Sequence, residues 1–303
     1  MAITAGKAAS EFRPTVWAKS FIANMEKALV YKNVVNTSYQ GDIAGGARSV
    51  KINEIGKINI GTYTEMTAVT TQLLTSAQKE LVIDQQKYFS FSIDDVLKAQ
   101  SNVGLMEKAM QQAAFNMADD VDEFIGELHD DSGIAGSATT SGNSTAALSI
   151  YATSPGLDNV LSVFSHAQRY MDEADVPTLG RWCVMPPWLH QYLKIAQIID
   201  FQTAWGVKGG DTTKWGNGYI GKALGFDVYA SNNVDYSSAL VGARVMFGVP
   251  DAISFAGQIT KIETVRPESM FADVVKGLYV YGAKVVRPDH LFTAYLTPAG
   301  LST

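Results

Sequence analysis

The densest group of side chains able to do chemistry is acidic. Asp119, Asp120, Asp122, Glu123, Glu127, Asp130 and Asp131 fall within thirteen residues that hold no Lys or Arg. Two or three carboxylates on one helix face can hold a divalent cation. The spacing here is not that of a calcium loop, and no oxygen-rich glycine turn interrupts it, so the pattern favours a solvated helix face. His129 stands beside Asp130 and Asp131. The chain has four histidines, at 129, 166, 190 and 290, with no i,i+4 pair and no H-E-x-x-H order that would mark a metal site. The loop Gly206-Val-Lys-Gly-Gly-Asp-Thr-Thr-Lys-Trp-Gly-Asn-Gly218 lacks the G-x-x-x-x-G-K-[ST] order of a phosphate cradle and reads as a surface or interface loop.

Cys183 is the only cysteine. It cannot form an intrachain disulfide, which fits a reducing compartment. Set between Trp182 and Val184, it reads as a buried and inert thiol. There is no G-x-S-x-G elbow. Trp182, Trp188, Trp205 and Trp215 lie close in sequence with Tyr192 and Phe201. A nucleic-acid stacking platform would interleave such rings with basic residues. Only Arg181, Lys194, Lys208 and Lys214 are near, so packing within and between subunits is favoured. The residues point to no catalytic group, no metal and no cofactor.

Composition agrees with a chain that carries no chemistry of its own. Of 303 residues, 47% are hydrophobic, 10% aromatic and only 18% charged, against about 25% charged in an average soluble domain. A low charge fraction suits an outer surface partly covered by copies of the same chain. The net charge of −6 leaves no basic stripe of the kind that grips nucleic acid. The first fifty residues run the other way, with six basic residues against three acidic. No basic start followed by an apolar run marks a signal peptide. No stretch of about 18 apolar residues predicts a membrane span.

The elements that would position these residues can be read from hydrophobic period. Over 1–40, Phe12, Val16, Trp17, Phe21, Ile22, Met25, Leu29 and Val30 recur at helical spacing, with Pro14 near the start, where proline is tolerated. This is either an ordinary N-terminal helix on its own core or an arm that embraces a neighbour. Over 41–93 the period becomes two. Val50 and Ile52 share one face, as do Ile58 and Ile60 within Lys57–Ile60, and a third run from Glu80 to Ile93 carries Leu81, Ile83, Phe89 and Phe91. Between the last two lies a Thr- and Ser-rich stretch, 62–78. Together these form a long loop of two or three strands, and a lone hairpin is marginal in water, so the loop needs a support.

A short helical piece with Val96 and Leu97 precedes a long amphipathic helix from near Asn102 to Leu128. Its stripe is Leu105, Met106, Ala109, Met110, Ala113, Ala114, Met117, Val121, Phe124, Ile125 and Leu128. Residues 131–155, rich in Gly, Ser, Thr and Ala, read as a flexible junction. An α/β unit follows, with a helix over 157–171, strands at 181–185, 226–230 and 244–249, and a short helix over 188–195. Strands return at 259–265 and 278–286. There is no internal repeat.

Several stretches resemble tailed-bacteriophage major capsid proteins with the Hong Kong 97 capsid fold. They are Phe12-Arg-Pro and Asn36; Gly46-Ala-Arg-Ser-Val-Lys-Ile52 and Tyr63; and Leu81-Val-Ile-Asp-Gln-Gln-Lys-Tyr-Phe-Ser-Phe-Ser-Ile-Asp-Asp95, running to Gln100. Later come Val184-Met-Pro-Pro, Gly225-Phe-Asp-Val-Tyr-Ala-Ser-Asn-Asn233, Ala252-Ile-Ser-Phe-Ala256 and Tyr281-Gly-Ala-Lys-Val-Val286. The resemblance spans nearly the whole chain. It implies an α+β fold with an N-arm (1–40), an extended β-loop (41–93), a spine helix with the first part of a peripheral domain (94–155), an axial domain (156–245) and the rest of the peripheral domain (246–303). It implies homo-pentamers and homo-hexamers closing an icosahedral shell around double-stranded DNA, in the virion, assembled in the host bacterial cytoplasm. The chain opens directly with the arm, so a scaffolding protein, like the portal, would be a separate chain. An encapsulin-like nanocompartment shell is the alternative on the same fold. The intersubunit contacts expected on this reading are Phe12, Trp17, Phe21, Lys57, Ile58, Ile60, Tyr63, Trp205 and Trp215.

Overall fold

The computed structural model describes residues 29–40, 48–55, 58–66, 68–69, 71–73, 76–94, 105–134, 147–151, 160–195, 218–237, 242–268 and 271–299. In chain order these form β1 (Ser49–Ile55), β2 (Ser76–Val82), β3 (Gln85–Asp94), α1 (Leu105–Gly126), β4 (Leu148–Ile150), α2 (Val160–Glu173), β5 (Trp182–Met185), α3 (Pro187–Ile195), β6 (Tyr219–Ala223), β7 (Phe226–Ala230), β8 (Tyr236–Ser237), β9 (Gly242–Gly248), β10 (Ile253–Val265), β11 (Ala272–Val285) and β12 (Leu291–Pro298).

Three sheets result: a β1–β2 hairpin, a three-stranded β10–β11–β3 sheet, and a seven-stranded sheet ordered β4–β12–β9–β5–β7–β6 with β8 added to β9. Side-chain alternation assigns the two faces of the largest sheet. Cys183, Met185, Val228, Val245, Phe247, Phe292, Ala294 and Leu296 face one core, shared with Val163, Phe164 and Met171 of α2 and Leu189 and Leu193 of α3. Trp182, Val184, Met246, Tyr229 and Leu291 face the other, where they meet Met110, Ala114, Met117, Val121 and Ile125 of α1. Phe255, Val275, Tyr279 and Tyr281 of the three-stranded sheet close on the same helix. Thus α1 lies between two sheets, and its 22 residues make a rod of about 33 Å.

Phe247 is the hub of the second core, with ring centroids 5.2 Å from Phe164, 5.3 Å from Phe226 and 5.8 Å from Phe292. Edge-to-face aromatic packing of this kind adds to simple area burial. Phe247→Ala is expected to cost about 3–5 kcal/mol, read as a lowered denaturant midpoint at unchanged slope.

Several expectations change. Ile58 and Ile60 lie outside any strand, because the β1–β2 register ends at the Ile55–Ser76 pair. The run expected over 80–93 is two strands in two sheets. Its first part pairs with β1, while β3 leaves to pair with β11 from Ala272↔Asp94 to Tyr281↔Gln85. The junction over 131–155 contains β4, which pairs in parallel with β12 at Leu296↔Leu148. The long helix ends at Gly126 and tightens to a 3₁₀ turn over Glu127–Asp131. Gly126 lets a neighbouring carbonyl approach, since a Cβ there would stand 3.0 Å from Asn233 O. The expected helix start at Asn102, the piece with Val96 and Leu97, and the N-terminal helical stripe before Leu29 lie outside the described residues.

Candidate assembly interface

The β1–β2 hairpin is fixed at its root. Ile52, Leu81 and Ile83 are buried against Ala256 and Val286, with Val50 and Val280 packed beside them. The alternation that placed Val50 and Ile52 on one face is the reason this root is apolar on the side turned to the sheet. Two lysines reinforce it: Lys79 Nζ donates to Val286 O, and Lys284 Nζ donates to Glu80 O at 2.9 Å. The Ile83 N–H donates to Arg48 O at 3.0 Å. Gly282 makes this approach possible, because a Cβ on it would lie 2.2 Å from Val82 O and 3.0 Å from Ile83 Cα.

Beyond the strands, no described residue of the hairpin is buried. Asn59 N–H donates to Gln72 Oε1 at 3.0 Å, and Met66 turns the chain with a φ of 63°. Ile58, Tyr63 and Val69 are exposed, Ile60 is 98% exposed and Leu73 90%, and Met66 is fully exposed. Six large exposed apolar side chains on one element are uncommon on a solitary soluble protein and make this a candidate interaction surface. Ile58, Ile60 and Tyr63, expected from the sequence as contacts, are exposed here; Met66, Val69 and Leu73 were not singled out, because they lie in a stretch dominated by Thr and Ser. Phe12, Trp17, Phe21, Lys57, Trp205 and Trp215 lie outside the described residues.

The segment after residue 28 is anchored on α1. Leu29, Tyr31, Val34 and Val35 are buried in the core that α1 shares with both sheets. Asn36 bridges β10 in parallel: its N–H donates to Ile253 O and its carbonyl accepts from Phe255 N–H, both at 2.9 Å. Asp122 caps the turn that begins at Tyr31. Its Oδ2 accepts from Val30 N–H at 2.7 Å, and the N–H groups of Tyr31 and Lys32 also bond to the carboxylate. The acidic run is therefore not wholly a solvated face, since Asp122 is 2% exposed. The signal was present. Asp122 follows Ala118 by four residues and precedes Ile125 by three, which places it on the packed face.

The remaining chemistry-bearing residues are structural. The Asp119 Oδ1 accepts from Asn233 Nδ2 at 2.6 Å, and Lys87 Nζ stands 3.7 Å from Asp120 Oδ2. His129 is buried with Nδ1 3.1 Å from Gly126 O and Nε2 2.9 Å from Asp130 Oδ1. The second contact has an ion-pair distance without hydrogen-bond geometry, and Nε2 gains no hydrogen-bond partner from it. Arg244 pairs with Asp235, whose Oδ2 is 3.7 Å from His129 Nδ1. Among the described residues no three His, Cys, Asp or Glu are placed to share a metal ion. Burial pushes the Cys183 thiol well up, which leaves it un-ionised and inert. Trp182 is buried against α1, whereas Trp188 donates from Nε1 to Tyr236 OH at 3.1 Å. These two do not form one stacking platform. No helix among the described residues is long and apolar enough to cross a membrane.

A sequence model of phage capsid proteins matches residues 76–294. The chain belongs to the phage capsid protein family. Its fold is that of solved phage shells. A structure from Mycobacterium phage Che8 is 25% identical, with a TM-score of 0.64 over 88% of this chain and 90% of that one. The capsid of cyanophage P-SCSP1u is 17% identical, with a TM-score of 0.61 over 99% and 93%. The capsid of Ralstonia phage GP4 is 16% identical, with a TM-score of 0.62 over 84% and 85%. Among curated proteins none matches the chain. This capsid protein is a structural component of the virion shell with the Hong Kong 97-type fold.

Proposed function

We propose that this capsid protein assembles as pentamers and hexamers into an icosahedral shell around double-stranded DNA, and that the apolar end of its hairpin lies across the adjacent subunit. The observation that carries this reading is the contrast within one element: a root locked by burial, and an outer half whose large apolar side chains have no partner in their own chain. Residues 1–40 would form the arm, seated on its own chain from Leu29 to Asn36 and reaching a further neighbour ahead of that seat, and the unit over 156–245 would form the capsomer centre. The stretches 94–155 and 246–303 would form the peripheral part around α1. A shell needs many modest repeated contacts, so that a misplaced subunit can leave before closure. Acidic balance supports the role of container, because a basic lining would hold DNA by counterion release and hinder its exit. A separate scaffolding protein and a portal would guide closure in the host cytoplasm.

Electron microscopy of the purified full-length protein tests this, with polyhedral particles the expected result and a discrete small oligomer the result that overturns it. The nucleic acid content of the particles separates a DNA container from a nanocompartment shell. The family match and the phage shells favour the former.

A further inference from the structure

The seat of residues 29–36 on α1 contains a buried acid, Asp122, and no ion pair joins it to a cation among the described residues. Of the two oxygens of Asp122, Oδ2 takes the Val30 N–H, while Oδ1 is buried without a hydrogen-bond partner. The hydroxyl of Tyr31, inserted beside it, is buried and unpartnered as well. The ionisable groups around this pair are Asp119 on the same helix, Asp235 in the loop between β7 and β8, and Cys183 of β5. Asp119 faces Asp122 itself, Asp235 faces Tyr31, and the Cys183 thiol is neutral. Burial and Asp119 therefore both oppose a charge on Asp122. Only the three N–H groups of Val30, Tyr31 and Lys32 favour it.

We propose that Asp122 is a proton-operated latch: protonated, it holds residues 29–36 on α1, and ionised, it loosens them. The sign follows from the two states. With the segment seated, loss of water lifts the Asp122 carboxyl to about 7 against the pull of the three N–H groups. Once the segment leaves, water returns and the group titrates near its ordinary value of about 3.9. The seated form binds more protons between those limits, so seating weakens as pH rises from about 4 to about 7 and is level above that. The gap corresponds to a change of up to about a thousandfold in the seating equilibrium.

Hydrogen exchange of the Val30, Tyr31 and Lys32 amides in the purified full-length chain tests this, whether or not particles form. After correction for intrinsic exchange, the opening constant should rise by up to about tenfold per pH unit between about pH 5 and 7 and then flatten. Asp122→Asn, which keeps an acceptor and removes the titration, should give a flat profile. A flat profile in the native protein would overturn the latch, as would the same slope in the variant. If the variant does not fold, the native profile decides alone. Particle formation is a separate readout, so failure of the latch leaves the shell reading standing.

Discussion

Ile60→Asp combined with Leu73→Asp is expected to yield a folded chain that no longer closes into shells. Both side chains are almost fully exposed in the single chain, so the substitutions remove nothing from its own core and its thermal unfolding should barely change. In the assembled state each would bury a side chain of about 1.5–3 kcal/mol. The six apolar residues of the hairpin end would together supply on the order of 10 kcal/mol per subunit, before the entropy of association is subtracted. Losing two of the six removes about 4 kcal/mol, which raises the concentration needed for assembly by about a thousandfold. Light scattering across a concentration series reads this directly. Particles forming at native concentration would mean that the hairpin end is not the contact.

The second large effect is expected at Gly282, although it touches no partner. Gly282→Val places carbon where Val82 O already stands, 2.2 Å from an ideal Cβ. Neither group is a flexible tip, so the hairpin root must swing away, at a cost of about 1–3 kcal/mol. The bonds from Lys79 and Lys284 then lose their geometry, and the apolar end is carried off its aim. The expected product is a chain with native circular dichroism that forms no closed particles, or aberrant ones.

How much could be read before the structure depended on whether a feature is local. The strand Phe226–Ala230 and the face shared by Val50 and Ile52 follow from a period of two, which neighbouring residues impose on one another. The break at Ile83–Asp84 does not. Leu81, Ile83, Phe89 and Phe91 keep one period of two across the polar Gln85 and Lys87, and it is pairing with β11, almost two hundred residues away, that pulls β3 into another sheet. β4 was hidden for a similar reason: three residues in a Gly- and Ser-rich stretch become a strand because β12 offers an edge. Asp122 was legible as an acid and as a position on the packed helix face. What was not legible is that the backbone of Val30, Tyr31 and Lys32 would supply its donors.

The parallel bridge at Asn36 has a mechanical meaning. Its two backbone bonds, to Ile253 and Phe255, lie side by side across the direction of the chain. A pull from the amino-terminal side would meet the buried Leu29 and Tyr31 first and then load both bonds at Asn36 together instead of peeling them one after the other. Force arriving from that side would pass into β10 and the sheet behind it, so this joint would act as a tie-rod rather than a hinge.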